Sequence, residues 1–384
     1  MDRWVFSGLA SLLPFALACS SSPATGDGGT DGGNPQDGSV VDVAPQDSAP
    51  SDAPSDGVAA NDGGLPPSGW LYTIPGNDKI YVSNGSTGSV WVGRGVNMDD
   101  LFLCGYNSGF WMTNPEQALT GMLASLMSGW KPTFLRISLS MDSYSPYDIS
   151  WKNDTSQYRT HMTNLIDAVG TYPNTYVLVT LRSDSTMVDG NNQQCAHGGD
   201  DAICIPTAST DDVYRAIVDT FKDKAYVLFG ISNEPGGNVA TNTALSAAMS
   251  HAVGVIRAEE DSLGVPHHLV SVQGNDWTSS IGFYDSAPLS FDDVVYEYHS
   301  YPPASSGYTQ AHIPVIIGEY GPSGSDLSWT STFYADVESK QIPNLAWDLD
   351  TYNNCSPALA SVTHTTSITP SAWGQAVQTY LLAH

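Results

Sequence analysis

Two glutamates end apolar runs, and their type and placement suit them to chemistry. Glu234 closes Gly230-Ile231-Ser232-Asn233 and precedes Pro235, while Glu319 closes Pro314-Val315-Ile316-Ile317-Gly318 and precedes Tyr320. A protonated carboxyl can release a leaving group and an ionised one can attack an electrophilic carbon, so a pair does both if their pKa values are pushed apart. Packing is a poor account of either residue, because a buried, unpaired glutamate is too costly to keep for packing alone. No metal and no cofactor are expected: the chain has neither a Cys-x-x-Cys nor a His-x-His pair.

Elements that can position such residues alternate along the chain. Eight apolar runs read as strands: 92–97, 133–139, 176–181, 225–231, 268–272, 294–298, 314–318 and 344–348. Between them, 115–127, 157–169, 210–221, 241–260 and 330–339 carry apolar residues near a 3.6-residue period, as amphipathic helices do. Strands that are almost wholly apolar are buried on both faces, and eight strand–helix units of this kind predict a (β/α)8 TIM barrel. A doubly wound sheet would be favoured by a Gly-x-Gly-x-x-Gly turn after the first strand, and the chain has none. A short β-hairpin, Lys79–Val82 and Val90–Val92, precedes the barrel. In such barrels active sites form at the C-terminal strand ends, where Glu234 ends strand four and Glu319 strand seven.

The residues at those ends resemble glycoside hydrolase family 5, the cellulase family. Asn233-Glu234-Pro235 resembles the motif that carries the family's acid/base, and Glu319 its nucleophile. Arg136, in Phe134-Leu135-Arg136, matches the arginine beside the nucleophile; His299 and Tyr301 match the His-x-Tyr pair after strand six; Trp347 matches the tryptophan flooring the sugar site. The resemblance runs from Gly95-Val96-Asn97 through strand eight. It implies retaining hydrolysis of a β-linked polysaccharide or oligosaccharide, most simply as an endo-β-1,4-glucanase. An endo-β-1,4-mannanase and an inactive carbohydrate-binding barrel are the alternatives. Arg136 and the Tyr301 hydroxyl are expected to lower the pKa of Glu319, His299 to poise Glu234, and Asn233 to bond the sugar 2-hydroxyl. Trp277, with Trp111 or Tyr106, is expected to line the cleft. The family's usual His after strand three is absent from Thr180-Leu181-Arg182-Ser183-Asp184, where Arg182 or His197 could substitute.

The flanking sequence points to export. An apolar stretch from Trp4 to Leu17 followed by Ala18-Cys19 resembles a bacterial lipoprotein signal over 1–19, with Cys19 as the lipidated residue; plain secretion is the alternative. The expected location is therefore the outer membrane or cell surface, or the medium, with membrane contact only through the lipid. Residues 20–68 contain no Lys, Arg or aromatic residue and read as a disordered linker, leaving 69–384 as the catalytic domain. The other four cysteines are even in number, which suits two disulfides in an exported protein. Barrel closure makes strands one and eight neighbours, so Cys104 is expected to pair with Cys355 and Cys195 with Cys204. Thirteen Lys+Arg against 40 Asp+Glu give a net charge of -27, which repels nucleic acid and favours a neutral ligand.

Overall fold

The computed structural model describes residues 64–98, 115–141, 150–154, 157–181, 205–206, 208–235, 241–303, 307–349, 359–362 and 367–384. All belong to one compact unit, Asn61–His384. Cys19, Cys104, Cys195, Cys204 and Cys355 lie outside the described residues, as do Tyr106, Trp111, Arg182 and His197.

Eight parallel strands close into a barrel: β4 (Arg94–Met98), β5 (Phe134–Leu139), β6 (Tyr176–Leu181), β7 (Val227–Gly230), β8 (Val270–Gln273), β9 (Val294–Ser300), β10 (Val315–Tyr320) and β11 (Asn344–Leu349). Each coincides with one of the eight apolar runs, and β11 pairs with β4 to complete the circle. The outer helices are α1 (Pro115–Gly129), α2 (Tyr158–Val169), α3 (Asp211–Phe221), α4 (Asn242–Leu263), α5 (Gly282–Ser286), α6 (Thr330–Lys340) and α7 (Ala372–Ala383). Helix α4 starts where the Thr241 hydroxyl accepts from the Ala244 N–H and stops at Gly264, whose φ of 66° suits a residue without a side chain.

The expected hairpin is part of a three-stranded antiparallel sheet. β1 (Leu71–Thr73) pairs with β2 (Ile80–Ser83), which pairs with β3 (Gly88–Val90). The chain is engaged a few residues before the boundary expected at Gly69, since the Ser83 hydroxyl donates to the Pro66 carbonyl at 2.6 Å. Leu71, Ile80 and Trp91 cluster with Phe134, Leu178, Leu228, Leu269, Val295, Ile316 and Leu345, so this region closes the lower barrel with an apolar plug. Each such side chain removed from water contributes about 1.5–3 kcal/mol.

Strand periodicity builds the next layer. Residues two positions on point into the same interior, so above Phe134, Leu269 and Val295 stand Arg136, Ser271 and Glu297, all buried. Strand β10 departs from this alternation. Ile317 pairs with Tyr298 and Glu319 with His299, an extra residue on β10 that turns Glu319 toward His299 and leaves Tyr320 in the outer core.

Candidate active site

Six charged or titratable side chains, from β5, β9 and β10 and from the segments just past β7 and β9, converge at the C-terminal rim. Arg136 is fully buried; its Nη1 donates to Glu319 Oε1 at 2.8 Å and to Asn97 Oδ1 at 2.9 Å, and its Nη2 donates to Asn233 Oδ1 at 2.5 Å. The second Glu319 oxygen accepts from the Tyr301 hydroxyl at 2.6 Å. His299 lies between carboxylates, with Nδ1 2.9 Å from Glu234 Oε1 and Nε2 2.9 Å from Glu297 Oε1; Glu319 Oε1 is 3.6 Å from Nδ1. One oxygen of Glu234, one of Glu319 and a ring nitrogen of His299 all lie within 4.8 Å of one another.

Local structure explains how each group is aimed. Glu234 has φ 48°, a left-handed conformation uncommon for a residue with a Cβ, and the Gln273 side chain accepts its backbone N–H. Gln273 also accepts from the Thr278 hydroxyl at 3.0 Å, and the Thr278 carbonyl accepts from the His299 N–H at 3.1 Å. The turn after β8 is thereby fastened to both residues. It presents Trp277 to solvent at 41% exposure, as an aromatic platform at the rim would be. Trp347 is half-buried on β11, two residues above Leu345 of the apolar plug, and its carbonyl accepts from Trp373 Nε1 at 2.9 Å.

Burial and charge act against each other here. Burial pushes His299 down, but Glu319, Glu234 and Glu297 together raise it to about 9. Burial pushes Glu297 up, yet Arg136, His299 and Ser271 bring it to about 2. Glu319 corrects the expectation from sequence. Arg136 and Tyr301 do pull it down, as does His299, but burial and the neighbouring Glu234 outweigh them and hold it above the usual carboxylate range. Burial and then Glu319 push the Tyr301 hydroxyl well above the ordinary phenol value, which keeps it a donor.

The structure thus brings together Glu234, Glu319, Arg136, Asn233, His299 and Tyr301. Three participants escaped the sequence reading. Asn97 braces Arg136 while donating to the Gly318 carbonyl at 2.8 Å; Gln273 holds Glu234; Glu297 lies under His299. A charged residue inside the apolar run Val294-Val295-Tyr296-Glu297-Tyr298 was the available signal. The grouping of Glu234, His299 and Glu319 has the dimensions of a cation site. Both nitrogens of His299 already face carboxylates at 2.9 Å, however, and a ring protonated on both has no lone pair to give a metal.

A closed (β/α)8 barrel with two carboxyls facing each other across its C-terminal rim is an architecture that can serve glycoside hydrolysis. The chain belongs to the cellulase family, glycosyl hydrolase family 5, whose model matches residues 93–353. Endoglucanase A of Butyrivibrio fibrisolvens is 23% identical over 220 residues, which are 55% of this chain and 46% of that protein, so the chain spans less than half of that relative. The catalytic domain of a Thermobifida fusca endoglucanase, solved with cellotetraose, superposes with a TM-score of 0.61 at 16% identity, covering 82% of this chain and 97% of that one. A Streptomyces thermolilacinus β-mannanase, solved with mannohexaose, gives 0.54 at 19% identity over 80% and 93% of the two chains. At such identities the superpositions speak to the barrel alone.

Proposed function

We propose that this β-glycanase is a retaining endo-β-1,4-glucanase with Glu234 as acid/base and Glu319 as nucleophile. The observation that carries the reading is the approach of the two carboxyls, with oxygens inside 4.8 Å. Retaining hydrolysis uses carboxyls about 5–5.5 Å apart, whereas inversion leaves about 6.5–9.5 Å for a water. In the first step an oxygen of Glu319 bonds to the anomeric carbon while the glycosidic oxygen leaves with the proton of Glu234. In the second, Glu234 takes a proton from water, whose oxygen displaces Glu319 and restores the β configuration. Asn233 has its carbonyl oxygen occupied by Arg136, so its amide N–H groups serve the sugar 2-hydroxyl.

A neutral glucan suits a chain of net charge -27, which would repel an anionic polysaccharide. A polymer too large to enter a cell must also be met outside it, in keeping with the signal read at 1–19. Proton NMR of the anomeric products, together with reducing-end release from cello-, manno- and xylo-oligosaccharides, tests the proposal. Fastest release from the cello series with β product is expected. Preference for the manno series would move the substrate to mannan, α product would refute retention, and binding without release would make the barrel a lectin-like module.

A further inference from the structure

The cluster contains a third carboxylate that neither chemical step consumes. Glu297 has no exposed surface, and both of its oxygens are engaged: Oε1 is 2.9 Å from Arg136 Nε and 2.9 Å from His299 Nε2, while Oε2 accepts from the Ser271 hydroxyl at 2.8 Å. Neighbouring backbone leaves room for it. A Cβ on Gly318 would come within 2.0 Å of Glu297 Oε1, so glycine at that position lets the carboxylate reach its partners. A buried anion is stable only when paired in this way, and removing it would strand two cations at once.

We propose that Glu297 is a positioning residue that supports Arg136 and His299 from below and keeps His299 protonated on both nitrogens, so that the ring acts on Glu234 as a fixed N–H donor and cation. The geometry accommodates this protonation, and calls for it once Glu234 is ionised. Each ring nitrogen faces a carboxylate at 2.9 Å, and a neutral imidazole, having one N–H, can donate to only one of them. The charged groups facing the ring are Glu297 from its own strand, Glu234 from beyond β7 and Glu319 from β10. Arg136 of β5 and the Tyr301 hydroxyl lie behind Glu319. Formal charge balances accordingly: Arg136 and His299 offset Glu297 and Glu319 when Glu234 carries its proton. Once Glu234 gives that proton to the leaving oxygen, its new negative charge meets an N–H already in place. Without Glu297 the cluster holds an excess positive charge, and His299 is relieved by losing its own proton.

For its catalytic consequence this inference rests on the roles given to Glu234 and Glu319, whereas its effect on His299 does not. Nitrogen-15 NMR of the full chain labelled at histidine reads that effect, with the His299 signals assigned by their loss in His299→Gln. Both ring nitrogens of the unsubstituted protein should be protonated at pH 7.5. In Glu297→Gln the His299 titration should fall by at least about one pH unit. The alkaline limb of kcat/KM on an aryl β-cellobioside should fall equally, and kcat should change more than KM. Glu297→Asp, which keeps the charge, should move both back toward the original values. A neutral His299 in the unsubstituted protein at pH 7.5 overturns the proposal even if no variant folds. So does an unchanged His299 titration in Glu297→Gln. If the titration shifts but no glycoside is hydrolysed, the hold of Glu297 on His299 stands and the glycanase reading fails.

Discussion

Among the described residues the barrel carries two buried Arg–Glu–His clusters, one at each end. At the C-terminal rim, Arg136, Glu297 and His299 meet Glu234 and Glu319. At the N-terminal end, Arg257 Nη1 lies 2.6 Å from Glu260, and Glu260 Oε1 lies 2.8 Å from His268 Nδ1. Glu260 and Glu297 both lack exposed surface, and both are held below the usual carboxylate range because basic partners overcome the cost of burial. The stoichiometry differs. Below, one carboxylate serves two basic groups; Arg257 Nη2 donates to the carbonyls of Asp292 and Asp293, and the His268 ring packs against Trp70 and Phe229. Above, three carboxylates converge on two basic groups, and like charges so close are not all ionised without cost. The upper cluster therefore holds more carboxyls than basic groups. The lower cluster, by contrast, joins α4 to the starts of β8 and β9.

The largest effects should separate the two clusters by what is lost. Glu319→Ala should lower turnover by several orders of magnitude on every β-glycan tested. Glu234→Ala should release a burst of phenol from an activated aryl glycoside and then stall, with azide restoring the rate and yielding a β-glycosyl azide. An α-glycosyl azide, or equal losses in both variants whatever the leaving group, would show that the roles or the retaining mechanism are wrongly assigned. Glu260→Ala should instead cost stability, about 3–5 kcal/mol, because Arg257 is left buried without its anion. Urea unfolding reads this change, and kcat per folded molecule should stay near its original value. A fall in kcat at unchanged stability would erase the contrast between the ends.

A smaller effect lies beside the lower cluster. Burial raises Asp293 to about 6, against the pull of the Thr73 N–H, which donates to its Oδ1 at 2.8 Å, and of Arg257. The folded state therefore binds the proton more tightly than the unfolded state. The resulting stabilisation is complete below about pH 4, the unfolded carboxyl value, and is lost as pH rises through about 6. At about 1.4 kcal/mol per unit the difference amounts to roughly 3 kcal/mol between the ends of that window. Asp293→Asn, which resembles the protonated form, should flatten the fall in urea midpoint between pH 4.5 and 7.5. An unchanged slope would show that another group sets it.

The eight barrel strands were legible because burial on both faces leaves continuous apolar runs, a pattern that needs no knowledge of the neighbours. Strand β1 was not, since Leu71–Thr73 is three residues long and pairs only because β2 lies beside it. Helix α7 also escaped notice, although Ser371 after Pro370 caps it by accepting from the Gly374 N–H at 3.0 Å. Inspection of the residues just past each run located Glu234 and Glu319. Glu297 escaped because it lies within its run, and only the two-residue alternation from Val295 places it in the interior.

Residue type and order along the chain were enough to determine the strand–helix alternation, the family resemblance and which side chains can exchange protons or attack carbon. These are local properties of the sequence. Tertiary structure decided which of those groups meet, because Arg136, Glu234, Glu297 and Glu319 come from separate strand ends whose spacing exists only once β11 has paired with β4. It also decided the sign of the shift on Glu319. Arg136 and Tyr301 pull that carboxyl down as their types require, but the opposing penalty depends on its depth from water and its distance from Glu234, and neither exists before the barrel closes.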